Sequence, residues 1–121
     1  MHTASKATVT PYPTPHGEIV YELIGRNGDV TETSSLARVE LPPGVSSRPH
    51  YHPIAEETYY VLEGRGRVRI DGQERELAPG DSVLIRPGEH HQIECLGEET
   101  LAILCVCTPA WEPSNTVYLD E

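Results

Sequence analysis

The sequence predicts an all-β domain, a sandwich or a small barrel, from three observations. About eight short segments of strand character recur at a spacing of roughly 8–12 residues. The chain contains 10 Gly and 11 Pro, which place turns between these segments and leave little room for long helices. No segment has a convincing helical periodicity. The length of 121 residues fits one domain with a single modest core.

Each predicted strand is an apolar or alternating segment bounded by turn residues. In chain order the segments are EIVYELI (18–24), SSLARVEL (34–41), ETYYVLE (57–63), GRVRI (66–70), ERELA (74–78), SVLI (82–85), HQIEC (91–95) and LAILCVC (101–107). Asp71-Gly72 separates the fourth segment from the fifth and predicts a two-residue hairpin. The polar tail after the last segment contains only isolated aromatic residues and predicts no further strand.

The N-terminal segment differs in composition from the rest of the chain. Residues 1–17, MHTASKATVTPYPTPHG, are rich in Thr and Pro and predict an extended or disordered arm. Residues 18–121 are predicted to form the single β domain. The first ten residues lack an apolar core and a basic run, so we expect no signal peptide.

Charge and cysteine content exclude several classes of function. The formal net charge of -10 argues against nucleic acid or an acidic membrane surface as a partner. No apolar stretch approaches the roughly 18–20 residues of a membrane-spanning helix. The three cysteines, Cys95, Cys105 and Cys107, are an odd and sparse set. That set favours a reducing compartment over a secreted disulfide scaffold, so we expect a cytoplasmic location.

The stretch PHYHPIAEETYYVLEG (49–64) carries a candidate metal site. Side chains two positions apart in a strand share a face, so His50 and His52 point together with Cα atoms roughly 7 Å apart. Two imidazoles at that spacing can converge on one ion. Glu57 begins the next strand and can fold back to the same point, and His91 opens a later strand. The alternative for this stretch is a solvated loop followed by an ordinary strand.

The residues around the two histidines carry a resemblance to a known family. The first block reads G-x5-H-x-H-x4-E-x6-G, formed by Gly44, His50, His52, Glu57 and Gly64. The second block runs from Gly80-Asp81 through Gly88 to His91. With both blocks, residues 36–107 resemble a small single-domain cupin. The resemblance implies an antiparallel β-barrel, or jelly roll, with His50, His52, Glu57 and His91 as ligands of one divalent transition metal ion (Fe, Mn, Ni, Cu or Zn).

The second block departs from the family pattern at two positions. Arg86 stands where cupins usually have Pro, and Cys95 stands where they usually have Asn. These departures leave the shape of the barrel mouth open, as well as the roles of Arg86 and Cys95. His90 is opposite in phase to His91 and is expected at the rim or surface. Glu56 is likewise opposite in phase to Glu57 and is expected to face outward.

Two further residues are candidates for catalysis. Tyr59 shares the inward face of Glu57 and can donate a hydrogen bond to a bound substrate or act as a base; the alternative is a core tyrosine. Arg48 is in phase with His50 and can bind a substrate carboxylate at the mouth; the alternative is a solvated loop arginine. Cys105 and Cys107 share a strand face and are expected to be small buried residues.

The favoured function is a metal-dependent enzyme acting on a compact polar metabolite. The resemblance implies dioxygenase, isomerase or epimerase, cyclase or lyase chemistry, with the ion as a Lewis acid or O2 binder. One alternative is a non-catalytic module that binds a sugar or an organic acid. A storage-type cupin is a third hypothesis, and the intact ligand set argues against it. Open sheet edges and the family resemblance also predict a homodimer.

Overall fold

The computed structural model describes residues 1–119, in which eleven strands form two antiparallel sheets. The strands are β1 (Tyr12–Pro13), β2 (Ile19–Ile24), β3 (Ser35–Leu41), β4 (His50–Tyr51), β5 (Glu56–Glu63), β6 (Arg65–Ile70), β7 (Gln73–Leu77), β8 (Ser82–Ile85), β9 (His91–Leu96), β10 (Leu101–Thr108) and β11 (Val117–Tyr118). Two 3-10 turns cover Asn27–Asp29 and Pro113–Asn115. The prediction of an all-β, jelly-roll fold is confirmed.

The two sheets divide the strands between them in a non-sequential order. One sheet has the order β1-β2-β3-β10-β5-β8, and the other has the order β11-β4-β9-β6-β7. All eight predicted strands are present, each boundary within one residue of the prediction. The two-residue strands β1, β4 and β11 were missed, because a strand that short has no periodicity to detect.

The Asp71-Gly72 hairpin between β6 and β7 is confirmed. Ile70 pairs with Gln73 across the turn, and Asp71 and Gly72 both have positive φ, 48° and 86°. Two consecutive residues with positive φ form the turn whose twist matches that of the flanking strands. Asp71 also accepts a hydrogen bond from the backbone N–H of His90 (2.9 Å), which ties this hairpin to the loop before β9.

The hydrophobic core lies between the inner faces of the two sheets. Buried and more exposed side chains alternate along most of β5, β6 and β9, as the pleat requires. The largest fully buried side chains are Leu41, Val61, Ile85, Ile93, Leu101 and Ile103. These residues come from both sheets, so the core stabilises the sandwich by burying apolar surface from each.

The outer face of β6 carries cross-strand ion pairs. Arg65 lies 3.1 Å from Glu76, Arg67 lies 3.1 Å from Glu94, and Arg69 pairs with Glu74. Because these arginines alternate on one solvated face opposite acidic residues, they form an ordinary outer surface of the sheet.

Both ends of the described chain pack onto the sheets. β1 pairs with β2, and Lys6 lies 2.8 Å from Glu40 and 5.1 Å from the centre of the Tyr21 ring. β11 pairs with β4, the strand that carries His50. The two ends therefore extend the sheets beside the candidate metal site. Among the described residues, no helix is long and apolar enough to span a membrane.

Candidate metal centre

The structure brings His50, His52, Glu57 and His91 together at one point inside the barrel. One potential ligand atom from each of the four residues lies within 4.8 Å of the other three. The register accounts for this, since β4 and β9 pair directly at His50 and His91. Glu57 comes from β5 in the opposite sheet. Two sheets thus contribute ligands to one candidate centre.

Backbone carbonyls orient all three imidazoles. The Nδ1 atoms of His50, His52 and His91 lie 2.6, 2.9 and 2.9 Å from the carbonyl oxygens of Arg48, Asn115 and Glu89. A carbonyl oxygen only accepts hydrogen bonds, so each Nδ1 carries the proton and donates it. The Nε2 lone pair of each neutral ring is then free to point toward the centre.

The centre contains buried acceptor atoms with no hydrogen-bond donor. Nε2 of His52, Nε2 of His91 and Oε1 of Glu57 are buried and have no hydrogen-bond partner. The two nitrogens lie only 3.4 and 3.3 Å from that carboxylate oxygen. Unpaired buried acceptors at this spacing are costly unless a cation binds among them. The donor set therefore fits a divalent transition metal ion with nitrogen and oxygen ligands.

Burial and neighbouring groups shift the pKa values of three residues of the centre, lowering those of His50 and Glu57 and raising that of His52. Burial and the neighbouring His91 lower the pKa of His50 to about 4. Burial also opposes protonation of His52, but the adjoining Glu57 carboxylate outweighs it and raises that pKa. Burial alone would raise the pKa of Glu57, yet its interactions with His52 and His91 lower it well below its usual range. Glu57 is consequently a carboxylate at any ordinary pH.

Cys107 contacts the carboxylate of Glu57, a candidate ligand, and the sequence did not predict this contact. Its Sγ lies 3.2 Å from Oε2 of Glu57 and donates to it, leaving Oε1 directed at the histidines. The two residues pair directly across β10 and β5. The prediction of a buried residue is confirmed for Cys107, which is 2% exposed, but Cys105 is only half-buried. No local pattern reveals the Cys107–Glu57 contact, because the residues are 50 positions apart.

Asn115 is a second supporting residue that the sequence did not indicate. Its carbonyl oxygen accepts from His52, and its side-chain Oδ1 accepts from the backbone N–H of Ile54 (3.0 Å). Asn115 is itself buried, at the end of a 3-10 turn in the tail. The C-terminal segment thereby fixes both the ring of His52 and the loop that follows it.

The two predicted catalytic residues both lie beside the centre. Tyr59 is 4% exposed, and its ring lies edge-on to His91 at 6.3 Å. Burial, and then the Glu57 charge, raise the pKa of Tyr59 well above its usual range, so the phenol keeps its proton. The guanidinium of Arg48 lies 3.9 Å from the centre of the Tyr118 ring. Both residues line the cavity described below.

The predicted outward orientation of the residues next to Glu57 and His91 is confirmed. Glu56 is exposed while Glu57 is buried, and His90 is exposed and stacks on Tyr51 with ring centres 4.9 Å apart. Cys95 is buried in the core, and its thiol donates to the carbonyl oxygen of Glu99 (3.0 Å). Arg86 is exposed, at the turn before His90. Neither Cys95 nor Arg86 is among the side chains that line the cavity.

A cavity of about 340 Å³ opens beside the candidate centre. His50 and Glu57 line it, whereas His52 and His91 are almost fully buried. Because two of the four potential ligands face the cavity, a molecule inside it can reach the centre. The four residues therefore form a buried candidate site with one side open to the cavity.

The family model described as "Cupin domain" matches residues 37–107. An uncharacterised protein of Methanocaldococcus jannaschii is 37% identical over 112 residues, 93% of this chain and 90% of that protein. The oxalate-binding protein of Thermotoga maritima is 33% identical over 91 residues, 74% of this chain and 75% of that protein. The crystal structure of a predicted oxalate decarboxylase from Thermotoga maritima superposes with a TM-score of 0.79 at 27% identity, covering 88% of this chain and 97% of that one.

Proposed function

The chain belongs to the cupin family, and we propose that it is a metal-dependent enzyme acting on a small molecule in the barrel cavity. The observation that carries this proposal is the group of three buried acceptors, Nε2 of His52, Nε2 of His91 and Oε1 of Glu57, without a donor. Adding His50, we assign four ligands to one divalent ion. Fe, Mn, Ni, Cu and Zn are all compatible with such a mixed donor set.

The bound ion would act as a Lewis acid or O2 site on the open side of the centre. Side chains around that open side would contact the substrate. The phenol of Tyr59 donates a hydrogen bond to the substrate, since it lines the cavity next to Glu57. Arg48 neutralises an anionic group of the substrate at the mouth, where it is held against Tyr118. The apolar walls exclude water from the reacting groups.

Metal content measured by mass spectrometry tests the assignment of ligands. We expect about one equivalent of metal in the wild type and a loss of at least about ten-fold in affinity for His91→Gln, because the variant removes a ligand nitrogen. His90→Gln is the matched control, since His90 is adjacent but exposed. Equal metal content in the His91→Gln variant and the wild type would contradict the assignment.

The second candidate is a binding module without turnover. The similarity to a relative named an oxalate-binding protein favours it. Product formation separates the two candidates, measured as O2 uptake and by mass spectrometry of candidate acids and sugars incubated with metal-loaded protein. Turnover that falls at least about ten-fold in Tyr59→Phe supports the enzyme. Saturable binding of an acid or a sugar, with no product formed from any compound tested, supports the binding module.

We further propose that the protein forms a homodimer through the outer face of the six-stranded sheet. Leu84, Thr58 and Val106 are neighbours across β8, β5 and β10 in that face, and Tyr60 lies beside them. Tyr60, Leu84 and Val106 are 38–44% exposed, which leaves apolar surface for a second copy to cover. Light scattering tests this: a dimer is expected for the wild type and a weakened dimer for Leu84→Lys. A monomeric wild type would contradict it.

A further inference from the structure

We infer that the substrate has a flat apolar body, of the aromatic-ring class, with a single anionic or oxygen-donor group that reaches the metal centre. The inference rests on the proposed function, because it assumes that the cavity beside the four ligands is the substrate site. It deepens that function by separating ring-bearing substrates from small aliphatic dicarboxylates.

The walls of the cavity are mainly apolar. Inner-face side chains from both sheets line it, among them Val20, Val39, Leu41, Ile93 and Ile103. A cavity of about 150 Å³ is enough to hold a benzene ring, and this one measures about 340 Å³. A diacid of a few heavy atoms would leave most of these walls facing water. A ring-bearing ligand would cover them and gain the free energy of their burial.

Aromatic side chains are concentrated at the same cavity. The chain has six Tyr, one Trp and no Phe, and Tyr12, Tyr59, Trp111 and Tyr118 all line this space. Aromatic faces favour planar ligands through offset or edge-to-face contacts. Tyr12, Trp111 and Tyr118 lie outside residues 37–107, the part that matches the family model. Three of the four aromatic residues therefore come from the terminal segments, whereas Tyr59 comes from β5 within the matched part.

The charges around the cavity limit how many anionic groups a ligand can carry. Besides Glu57, which we assign to the metal ion, the acidic residues Glu18 and Glu22 line it, and the described lining residues also include Arg48 and His16 but no lysine. The metal ion of the proposed centre can bind a single carboxylate or phenolate. A second carboxylate would face acidic neighbours in a chain of net charge -10. A mono-anion with an apolar body fits this distribution.

Calorimetric titration of the metal-loaded protein with salicylate and with oxalate tests the inference. Salicylate is a planar ring with one carboxylate, and oxalate is the smallest dicarboxylate. We expect the dissociation constant of salicylate to be at least about ten-fold lower than that of oxalate. Trp111 is the single tryptophan, so its fluorescence reports whether the ligand enters this cavity. Salicylate is expected to change it in proportion to occupancy.

A cavity-filling variant locates the binding. Val39→Phe places a ring in the cavity and should weaken salicylate at least about ten-fold without changing metal content. Val30→Phe is the matched control at an exposed position outside the cavity, and it should change neither quantity. If Val39→Phe does not fold, Ala37→Leu makes a smaller change in the same wall.

The outcomes distinguish the inference from the proposed function. A metal-loaded wild type that prefers oxalate, or that binds salicylate without a change in Trp111 fluorescence, overturns the inference alone. Salicylate binding that is unchanged in both Val39→Phe and Ala37→Leu also overturns the inference alone. A wild type that takes up no metal overturns the proposed function, and the inference with it.

Discussion

The thiol of Cys107 lies 3.2 Å from Oε2 of Glu57, whereas Oε1 of the same carboxylate lies 3.4 and 3.3 Å from Nε2 of His52 and His91. This contact fixes which carboxylate oxygen faces the candidate metal centre. Hydrogen bonds to a metal ligand from outside the coordination sphere orient it and tune its affinity for the ion. We therefore expect Cys107 to act as a positioning residue through Glu57, a candidate ligand.

Two substitutions of Cys107 distinguish the contribution of its hydrogen bond to Glu57 from the contribution of its side-chain volume. We expect Cys107→Ala to weaken metal binding by about ten-fold, because Oε2 loses its donor inside the core. Cys107→Ser keeps a donor and should recover most of the affinity. The absorption spectrum of the Co(II)-loaded protein should shift in the Ala variant and return toward the wild type in the Ser variant. Cys105→Ala, which removes the neighbouring thiol on β10, is the control.

Identical metal affinities and Co(II) spectra for the Ala and Ser variants of Cys107 would contradict the positioning role. A loss of stability shared by both variants would indicate packing alone.

Metal affinity is expected to fall with falling pH. Burial opposes the proton on His52, but Glu57 outweighs it and raises the pKa of His52, so in the metal-free protein this ring stays protonated to a higher pH than an ordinary histidine. A metal ion must displace that proton. Metal affinity is therefore highest above the raised pKa of His52 and decreases below it. His50, whose pKa lies near 4, adds a second proton only under more acidic conditions.

The measurement is metal dissociation as a function of pH, with a competing chelator as the reporter. The dissociation constant should rise by a factor that approaches about ten-fold per pH unit below the pKa of His52, as expected for one displaced proton. In His52→Gln this raised titration should be absent from the profile. An affinity that is constant between neutral pH and pH 4 would be inconsistent with imidazole ligands.

Removing the Asn115 side chain should loosen the C-terminal support of His52. Asn115→Ala leaves the N–H of Ile54 without its acceptor, which costs about 1–2 kcal/mol of stability. The same variant should weaken metal binding, because the turn whose backbone carbonyl orients His52 is less well held. Ser114→Ala is the control, since Ser114 is adjacent and exposed. Equal stabilities of the two variants in urea would refute this role.

Gly64 is predicted to be the glycine least tolerant of substitution in the turns around the barrel. Its φ is 78°, and an added Cβ would lie 2.5 Å from the carbonyl oxygen of Thr100. We expect Gly64→Ala to lower the free energy of unfolding by more than about 3 kcal/mol, through backbone strain and this clash. Gly80→Ala is matched in backbone conformation, with φ of 93°, but has open space around it.

Gly80→Ala introduces the backbone strain without the clash, so it should lower the free energy of unfolding by only about 1–3 kcal/mol. Urea unfolding of both variants measures the difference. Equal costs would show that the close approach to Thr100 does not matter.

The sequence by itself determined the eight longer strands and, in β5, which side faces inward. The period-2 alternation of β5 separated Glu57 from Glu56, and the Asp71-Gly72 pair fixed the hairpin register. These features were predictable because they depend on residues that are neighbours in the chain. The spacing of His50 and His52 indicated a candidate site, and the resemblance to cupins assigned Glu57 and His91 to the same set of residues that converge.

Only the tertiary structure decided what surrounds those residues. The hydrogen bond from Cys107 to Glu57 and that from His52 to Asn115 join residues 50 and 63 positions apart. The aromatic walls come from Tyr12 and Trp111 near opposite ends of the chain. Such contacts follow from how strands of the two sheets are ordered and paired, and no local pattern of side chains encodes that order. For this reason the sequence identified the candidate ligands, while the fold defined their support and the shape of the cavity.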